Sequence, residues 1–348
     1  MRELVAWIGL GQCGGNIAKL FEEKGYNCLY INTSQEDLAT LDDVKFLYHI
    51  PKGEGCNKSR RKAKKLVAED YSEVLNQIKE KLSEEYVGVV FSTGGGTGSG
   101  IAPLLIDLLT QQTSKKVFAV AVMPSKKESY VTNSNTYECF KELEALQKLG
   151  ATFVLDNNKD DKLKVNKRFV RAFEKFVEIP KHHSVRGNID VSELKEFLTA
   201  RGAAIIGVAE KDNKEKVSSA RVIESLSNNI FAPIETDRVV KYVALSALNP
   251  IDDNELKKFL GEWLDIYKGK NPMLTVAAVS GLTLPYSLID EIVERLDNER
   301  ESVIKSHKAT SLQRLSKEAD IFEELAKYDS PEDSFETTAE TIFSKYIN

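Results

Sequence analysis

Short apolar runs alternate with helix-patterned segments along the first half of the chain. Apolar residues in helical spacing predict helices at 16–24, 58–84 and 101–112. Six runs of aliphatic and β-branched residues predict buried strands, at 4–10, 28–31, 46–50, 86–91, 117–122 and 152–155. Strand–helix–strand repetition of this kind predicts a doubly wound, mostly parallel α/β sheet with helices on both faces.

The second half of the chain predicts a long central helix at 165–178 and a second, smaller α/β domain. A helix pattern at 191–200 follows a polar connector. Strand patterns then alternate with helix patterns, the strands at 203–208, 239–245 and 274–279 and the helices at 215–228 and 254–266. A long, charged helical pattern covers 287–327, and the polar, acidic residues 330–348 predict a flexible tail.

A glycine-rich run at 94–100 joins the predicted strand 86–91 to the next helix, and it reads Gly-Gly-Gly-Thr-Gly-Ser-Gly. Successive glycines let phosphate oxygens approach the backbone without interference from Cβ atoms, and a helix start adds free N–H groups. Thr97 and Ser99 supply hydroxyl donors. The run is not a Walker A loop, because Ile101 follows it where that motif has lysine. We therefore expect backbone amides and a metal ion to neutralise the phosphate; the alternative is a flexible glycine turn.

A second glycine-rich turn, 9–15, follows the first predicted strand. Its Gly-x-Gly-x-x-Gly spacing is also the fingerprint of dinucleotide-binding enzymes, which makes an NAD-dependent oxidoreductase the rival interpretation. That fingerprint expects an acidic residue at the end of the second strand to hold the ribose. Asn32 and Thr33 stand there instead, which suit phosphate or metal-bound water better and weaken the rival.

Composition and charge narrow the function classes further. Hydrophobic residues make up 42% of the chain and charged residues 29%, as in ordinary globular proteins. No run approaches the roughly 20 apolar residues of a membrane span, so we expect a cytoplasmic protein without membrane contact. The net charge of −5 and the acids that follow the basic stretch 58–65 argue against direct DNA binding. The four cysteines have no metal-site spacing, and we expect no metal ligand from the protein itself.

The two glycine loops together resemble the tubulin/FtsZ superfamily of GTPases. The run 94–100 matches the signature of that superfamily, and Gly11-Gln12-Cys13-Gly14 looks like the first phosphate loop of tubulins. The resemblance implies GTP and GDP as ligands, with Mg²⁺ held through the phosphates and water. The nucleotide-binding positions that it implies are Gly11, Gln12, Cys13, Asn16, Asn32, Thr33, Gly55, Asn57, Gly94, Gly95, Gly96, Thr97, Gly98, Ser99, Glu128, Asn157 and Asn166.

Specific roles also follow from the resemblance. The loop 53–57 is similar to the loop that senses the γ-phosphate in the family. Glu128 takes the place of the ribose ligand, although the arginine usual four residues later is Thr132 here. Asn157 and Asn166 look like the two positions that read the base, and an amide can bond both the oxygen and the N–H groups of guanine.

The segment 187–193 resembles the family loop that completes the active site of the neighbouring subunit. The resemblance makes Asn188, Asp190 and Glu193 catalytic across a head-to-tail contact. Asp190 and Glu193 are three residues apart at a predicted helix start, so they share one face and are placed to polarise a water beside the γ-phosphate. The structural alternative is a capping box, in which the same two residues cap the helix.

The chain looks most like the phage- and plasmid-encoded prokaryotic tubulins of the TubZ type. That resemblance implies a self-assembling GTPase filament that segregates plasmid or phage DNA through a DNA-binding adaptor on the C-terminal tail. An FtsZ-like cell-division protein is the alternative. The corresponding division is a GTP-binding domain at 1–164, a central helix and connector at 165–186, an activation domain at 187–286, a helical segment at 287–329 and a tail at 330–348.

Overall fold

The part of the chain that this computed structural model describes, residues 1–182, 187–211, 216–236, 239–310 and 339–347, contains one ten-stranded sheet. The strands are β1 Val5–Leu10, β2 Asn27–Asn32, β3 Leu47–His49, β4 Tyr86–Ser92, β5 Lys116–Met123, β6 Ala151–Asp156, β7 Gly202–Ala209, β8 Val240–Ala247, β9 Trp263–Lys270 and β10 Thr275–Leu282. The helices are α1 Gly11–Glu22, α2 Gln35–Ala39, α3 Arg60–Lys81, α4 Thr97–Gln112, α5 Tyr130–Ala145, α6 Lys162–Val177, α7 Val191–Thr199, α8 Ser219–Ser227, α9 Asp253–Leu260, α10 Tyr286–Thr310 and α11 Ala339–Ile347.

The strand order is β3-β2-β1-β4-β5-β6-β7-β10-β8-β9. Neighbours from β3 to β7 are parallel, β10 is antiparallel to β7 and to β8, and β9 is parallel to β8. The mostly parallel α/β fold predicted from the sequence is therefore confirmed. Because β6 pairs with β7 from Ala151 and Gly202 onward, the predicted nucleotide and activation domains share one continuous sheet.

Helices cover both faces of the parallel strands, which is why β1, β4 and β5 are apolar at almost every position. On one face Trp7 stacks on Phe21 of α1, with ring centroids 3.8 Å apart, and Phe173 of α6 contacts Trp7 edge-on. On the other face α3, α4 and α5 bury a second apolar cluster. The central helix is thus anchored to the sheet through aromatic packing.

The glycine turns are the first turns of helices, which corrects two predicted boundaries. We expected helices to begin at 16 and near 100, after the glycines, because glycine is a poor helix former. Instead α1 begins at Gly11 and α4 at Thr97. Close packing explains α1: a Cβ added at Gly14 would lie 2.1 Å from the carbonyl oxygen of Val90, so only glycine lets this turn approach β4.

Two further elements differ from the prediction. The helix expected at 254–266 was wrong beyond α9, because Gly261 ends that helix with φ +84°. The following residues form β9, which pairs with β8 along its length. Helix α5 was not predicted, because its buried face carries Thr and Asn residues alongside apolar ones and so lacks an apolar stripe.

The tail prediction was wrong for its last residues, since 339–347 form α11. Residues 330–338, and the predicted helix beyond Thr310, lie outside the described part of the chain, as does 183–186 of the connector. Among the described helices, none has both the length and the apolar character needed to cross a membrane.

Candidate nucleotide-binding site

Three loops meet at the edge of the sheet where the carboxyl ends of β1, β2 and β4 lie side by side. They are the turn at Gly11, the glycine run 94–100 and the loop that leads through Lys58 into α3. Gly11 opens α1 with φ +66°, and a Cβ added there would lie 3.3 Å from the backbone nitrogen of Gly98. A Cβ added at Gly96 would lie 2.9 Å from the Cα of Lys58. The loops are therefore in backbone contact with one another.

The hydroxyl groups of the glycine run 94–100 hold the loop in shape. The Ser99 hydroxyl donates to the carbonyl of Gly95. The Thr97 hydroxyl oxygen lies 2.7 Å from that of Thr33 and joins the run to the end of β2. A Cβ added at Gly95 would meet no atom within 4 Å, so this backbone faces open space at the N-terminus of α4. An anion is favoured there by the free N–H groups and dipole of the helix.

The loop 53–57 is fastened to the end of β2. The N–H of Gly55 donates to the carbonyl of Thr33 at 2.7 Å, and Gly55 itself has φ +76°. Asn57 is exposed and has φ +43°, a left-handed conformation that asparagine tolerates better than most residues. Asn32 is buried, and its Oδ1 accepts from the N–H of Thr33 at 2.8 Å. Asn32 therefore shapes the β2 loop from inside.

A residue that the sequence analysis missed ties two of these loops together. The side-chain amide of Asn135, on α5, donates to the carbonyls of Lys58 at 2.8 Å and Gly95 at 3.1 Å. The ammonium of Lys58 donates to the Thr132 hydroxyl at 2.7 Å. Thr132 is thereby part of the same loop cluster. The only signal in the sequence was a run of polar residues at a position where α5 was not predicted.

The predicted ribose and base positions lie around the start of α6. The carboxylate of Glu128 accepts from the ammonium of Lys162 at 2.8 Å. Asn166 is buried in the first turns of α6. The Oδ1 atom of Asn157 is buried without a hydrogen-bond partner among the described residues. An N–H donor such as those of guanine would satisfy it.

The first turn of α1 presents three predicted positions. Gln12 and Asn16 are exposed and four residues apart, so they share one face of the helix. Cys13 lies between them and packs against the apolar core. Burial raises the pKa of the Cys13 thiol to about 11, and the nearby charge of Lys162 opposes that rise. The thiol is therefore neutral at pH 7, and Cys13 contributes an apolar surface to this turn.

The segment 187–193, called the acidic loop from here on, forms the capping box that was the structural alternative. The Asp190 carboxylate accepts from the N–H groups of Ser192 at 2.8 Å and Glu193 at 3.0 Å. In return the Glu193 carboxylate accepts from the N–H of Asp190 at 2.7 Å. These backbone hydrogen bonds lower the pKa of Asp190. Burial raises the pKa of Glu193, and the charges of Asp190, Asp265 and Glu196 add to the rise.

The acidic loop lies at the opposite edge of the sheet from the glycine loops. Lys195 of α7 forms an ion pair at 2.9 Å with Glu85, which immediately precedes β4. The run 94–100 follows the other end of β4. The seven residues of β4 span about 20 Å. The loop rests on β9, because a Cβ added at Gly269 would lie 3.2 Å from the side chain of the buried Ile189.

The structure thus brings together the predicted positions from Gly11 to Ser99 at one edge and places Glu128, Asn157 and Asn166 around the start of α6. It places Asn188, which is exposed, with Asp190 and Glu193 at the far edge. In the described ranges, no group of three His, Cys, Asp or Glu side chains is arranged to hold a metal ion.

Comparison with known proteins gives four consistent matches. The model of the Tubulin/FtsZ family GTPase domain matches residues 4–162. The tubulin-like protein TubZ of Clostridium botulinum C phage is 31% identical over 94% of this chain and 100% of its own length. The crystal structure of Clostridium botulinum phage c-st TubZ superposes with a TM-score of 0.78 at 27% identity, over 87% of this chain and 100% of that one. A GTPγS-form protofilament of Bacillus thuringiensis serovar israelensis TubZ has a TM-score of 0.73 at 17% identity, over 86% and 94% of the two chains, which shows a shared fold.

Proposed function

The chain belongs to the tubulin/FtsZ family of GTPases, and on that premise we propose that it polymerises head to tail into a cytoskeletal filament whose assembly completes the active site. The observation that carries the proposal is the separation of the two groups of predicted residues. Helix α7, which the acidic loop begins, is ion-paired through Lys195 to Glu85 just before β4, and the glycine run follows the other end of that strand, about 20 Å away. A carboxylate acts on a water only within hydrogen-bond reach, so the acids of one subunit serve the nucleotide of the next.

In this proposal GTP lies at the carboxyl edge of the sheet. The open backbone at Gly95 and the N-terminus of α4 receive the phosphates, Glu128 receives the ribose, and the unpartnered Oδ1 of Asn157 accepts from guanine. Mg²⁺ is held by the phosphates and water. The threonine hydroxyls at the end of β2 and the start of α4 fit a polar, phosphate-bearing ligand at that position.

The acids of the incoming subunit supply the base chemistry. The lowered pKa of Asp190 keeps its carboxylate ionised, while the raised pKa of Glu193 makes it the better proton acceptor. Both are at the start of α7 and are partly or fully accessible to a neighbouring subunit. Positioning and charge stabilisation account for most of the rate in phosphoryl transfer, so assembly itself becomes the activating step.

For the cellular role we propose segregation of plasmid or phage DNA in the cytoplasm. The net charge of −5 disfavours direct DNA binding, so a DNA-binding adaptor that contacts the C-terminal segment makes the link. The likeness to a phage-borne TubZ supports this role. A cell-division role has the same chemistry with other partners.

Light scattering after addition of GTP and Mg²⁺, over a range of protein concentrations, tests the filament. We expect polymers above a critical concentration with GTP, disassembly as GTP is consumed, and GTP turnover per subunit that rises steeply at the same concentration. GDP is the matched control and should give no stable polymer. Turnover that is independent of protein concentration would overturn completion of the site by assembly. Binding of NAD without assembly would favour the oxidoreductase instead.

A further inference from the structure

The last described helix is packed into a groove between α3 and α4. Ile342 and Tyr346, four residues apart on one face of α11, are buried in the apolar cluster beneath these two helices. Phe343 meets Tyr71 of α3 edge-on, with ring centroids 4.8 Å apart. The C-terminal segment therefore contributes to the core of the nucleotide-binding half of the molecule.

Polar contacts fix the register of α11 in the groove. The Tyr346 hydroxyl donates to Asp107 of α4 at 3.1 Å, and the ammonium of Lys345 donates to the same carboxylate at 3.2 Å. The ammonium of Lys64, on α3, lies 5.2 Å from the centre of the Tyr346 ring. Asp107 is buried in the otherwise apolar stretch 101–109 of α4, so it depends on these partners and on Gln111 for its hydrogen bonds.

A chain of buried ionic contacts continues from this anchor to the glycine run. Glu142 of α5 accepts from Lys64 at 2.5 Å and from Arg60 at 2.6 Å. The same guanidinium group of Arg60 donates to the carbonyl of Ser99 at 3.1 Å. Tyr346 is therefore connected to the run 94–100 through three charged side chains that are wholly or largely buried.

The direction of α11 brings its end toward the nucleotide loops. Tyr346 lies beside Lys64, and the earlier residue Phe343 lies beside the later residue Tyr71, so α11 is antiparallel to α3. Its C-terminal end points toward the start of α3, where Arg60 follows the loop 53–57. Movement of α11 thus acts on the end of α3 that is closest to the nucleotide loops.

We propose that the α3–α4 groove is a docking site for the chain's own C-terminal helix and that docking holds the 94–100 loop in its nucleotide-binding shape. Release of α11 removes Tyr346 and Lys345 from Asp107 and exposes Lys64 and Glu142 to water. The hydrogen bond from Arg60 to the carbonyl of Ser99 then weakens, because buried charge pairs that share a partner are coupled. A ligand that binds the free helix would, by linkage, loosen the nucleotide to the same degree that nucleotide tightens the helix.

The inference rests on the proposed nucleotide site at 94–100, and its first test separates the two. Ile342→Glu places a charge in the groove, while Thr341→Glu places the same charge at the adjacent exposed position. Amide hydrogen exchange is followed in both variants below the critical concentration, for residues 339–347 and 94–100. We expect Ile342→Glu to lose protection in both segments and Thr341→Glu to retain it. Loss confined to 339–347 would overturn the coupling, and a helix that is unprotected in the unchanged protein would overturn docking.

Dissociation of a fluorescent GDP analogue gives the functional readout in the same samples. Coupling between sites typically changes affinity at least about fivefold, and we expect an increase of that order in the dissociation rate for Ile342→Glu. Removal of residues 339–348 should give the same increase. An unchanged rate in both variants would overturn the proposal. Failure of the unchanged protein to bind the analogue would count against the proposed site and leave the exchange result on docking standing.

A double-mutant cycle tests the route through the ionic contacts. Lys64→Met keeps the aliphatic bulk beside Tyr346 but removes the charge that joins α11 to Glu142. We expect Ile342→Glu to have little additional effect on GDP dissociation in the Lys64→Met background, because the contact that transmits it is already absent. If the effects of Ile342→Glu and Lys64→Met on GDP dissociation are fully additive, the helix acts on the loop by another route, and the route through Lys64 and Glu142 is overturned.

Discussion

The ammonium of Lys195 lies 2.9 Å from the carboxylate of Glu85, and this ion pair fixes the edge of the sheet at which the acidic loop lies. Glu85 precedes β4, whereas the glycine run follows it. Because both helix α7 and strand β4 are rigid elements, this contact holds α7, which the acidic loop begins, about one strand length, about 20 Å, from the glycine run of the same subunit. The predictions about catalysis depend on this separation.

Glu193→Gln separates the catalytic role of this residue from its capping role. Glutamine also serves in a capping box, so the hydrogen bond to the N–H of Asp190 and the start of α7 are preserved. Loss of the carboxylate should lower GTP turnover in assembled filaments at least about 100-fold, as removal of an acid–base group typically does. Turnover is measured above the critical concentration, with sedimentation to establish that polymer is present. Near-normal turnover in sedimented polymer would reduce Glu193 to a helix cap.

Gly95→Ala and Gly14→Ala should fail in different ways. A Cβ at position 95 meets no protein atom within 4 Å, so we expect an unchanged melting temperature but weakened GTP binding, since the methyl group projects into the proposed phosphate space. A Cβ at position 14 would lie 2.1 Å from the carbonyl oxygen of Val90, so this variant should lose stability. Overpacking typically costs about 1–3 kcal/mol. Calorimetry and GTP titration of both variants check the contrast, and normal GTP affinity in Gly95→Ala would place the phosphates elsewhere.

Mixing two inactive variants tests completion of the site across subunits. Glu193→Gln retains the glycine loops, and Gly95→Ala retains the acidic loop. In filaments mixed randomly from equal amounts of the two variants, about one quarter of the head-to-tail contacts join an intact loop to intact acids, so about one quarter of normal turnover should return. Co-sedimentation of the two variants establishes that they mix. Co-sedimenting variants without recovered turnover would contradict an active site shared between subunits.

The sequence predicted the places where the fold depends on backbone shape. Glycine has a direct physical consequence, so the run 94–100 and the turn at Gly11 were identifiable as places of close backbone approach. The parallel sheet followed from the alternation of strand and helix patterns. The capping box at Asp190 was recognisable as an alternative because the spacing of capping residues is a local pattern in the sequence.

Features that depend on tertiary pairing were not predictable in this way. The amide of Asn135 reaches backbone carbonyls on two distant loops, which no local pattern encodes. Strand β9 alternates charged and apolar residues weakly, and it is a strand because β8 lies beside it. The last helix lies in a segment, 330–348, whose polar and acidic residues favoured a tail, yet Ile342 and Tyr346 share one face and are both buried. Tertiary contacts override local propensity in each of these places.

Asn135→Asp should break the hydrogen bonds through which Asn135 joins Lys58 to the glycine run 94–100. The substitution replaces an N–H donor by a carboxylate oxygen that faces the carbonyls of Lys58 and Gly95. Buried acceptors left without donors cost about 1–3 kcal/mol each, so both the free energy of unfolding and the GTP affinity should fall. Denaturant unfolding with and without GTP measures both. Unchanged GTP affinity in a folded variant would show that the amide only supports the fold.

The acid limb of the pH–turnover profile should report Glu193. Burial and the charges of Asp190, Asp265 and Glu196 raise the pKa of this carboxyl group, so turnover should begin to fall at a pH above the ordinary glutamate pKa of about 4.3. Protonation of Glu193 does not itself unfold the protein, so the expected fall in turnover at low pH is not explained by unfolding driven by this group. A raised folded-state pKa means that its protonation stabilises the folded chain, and that contribution is lost as the pH rises through the raised value.

Asp265→Asn tests the assignment of that limb. It removes one negative charge near Glu193, so the pKa should fall and the acid limb should move to lower pH by a few tenths of a unit, roughly the effect of one water-screened charge. Asp290→Asn, an exposed position on α10, changes the net charge equally and should leave the limb in place. Turnover is measured in polymer of constant amount from about pH 4, just below the ordinary glutamate pKa, to about pH 8. An acid limb that does not move with Asp265→Asn, or that moves equally with the control, would exclude Glu193 as its origin.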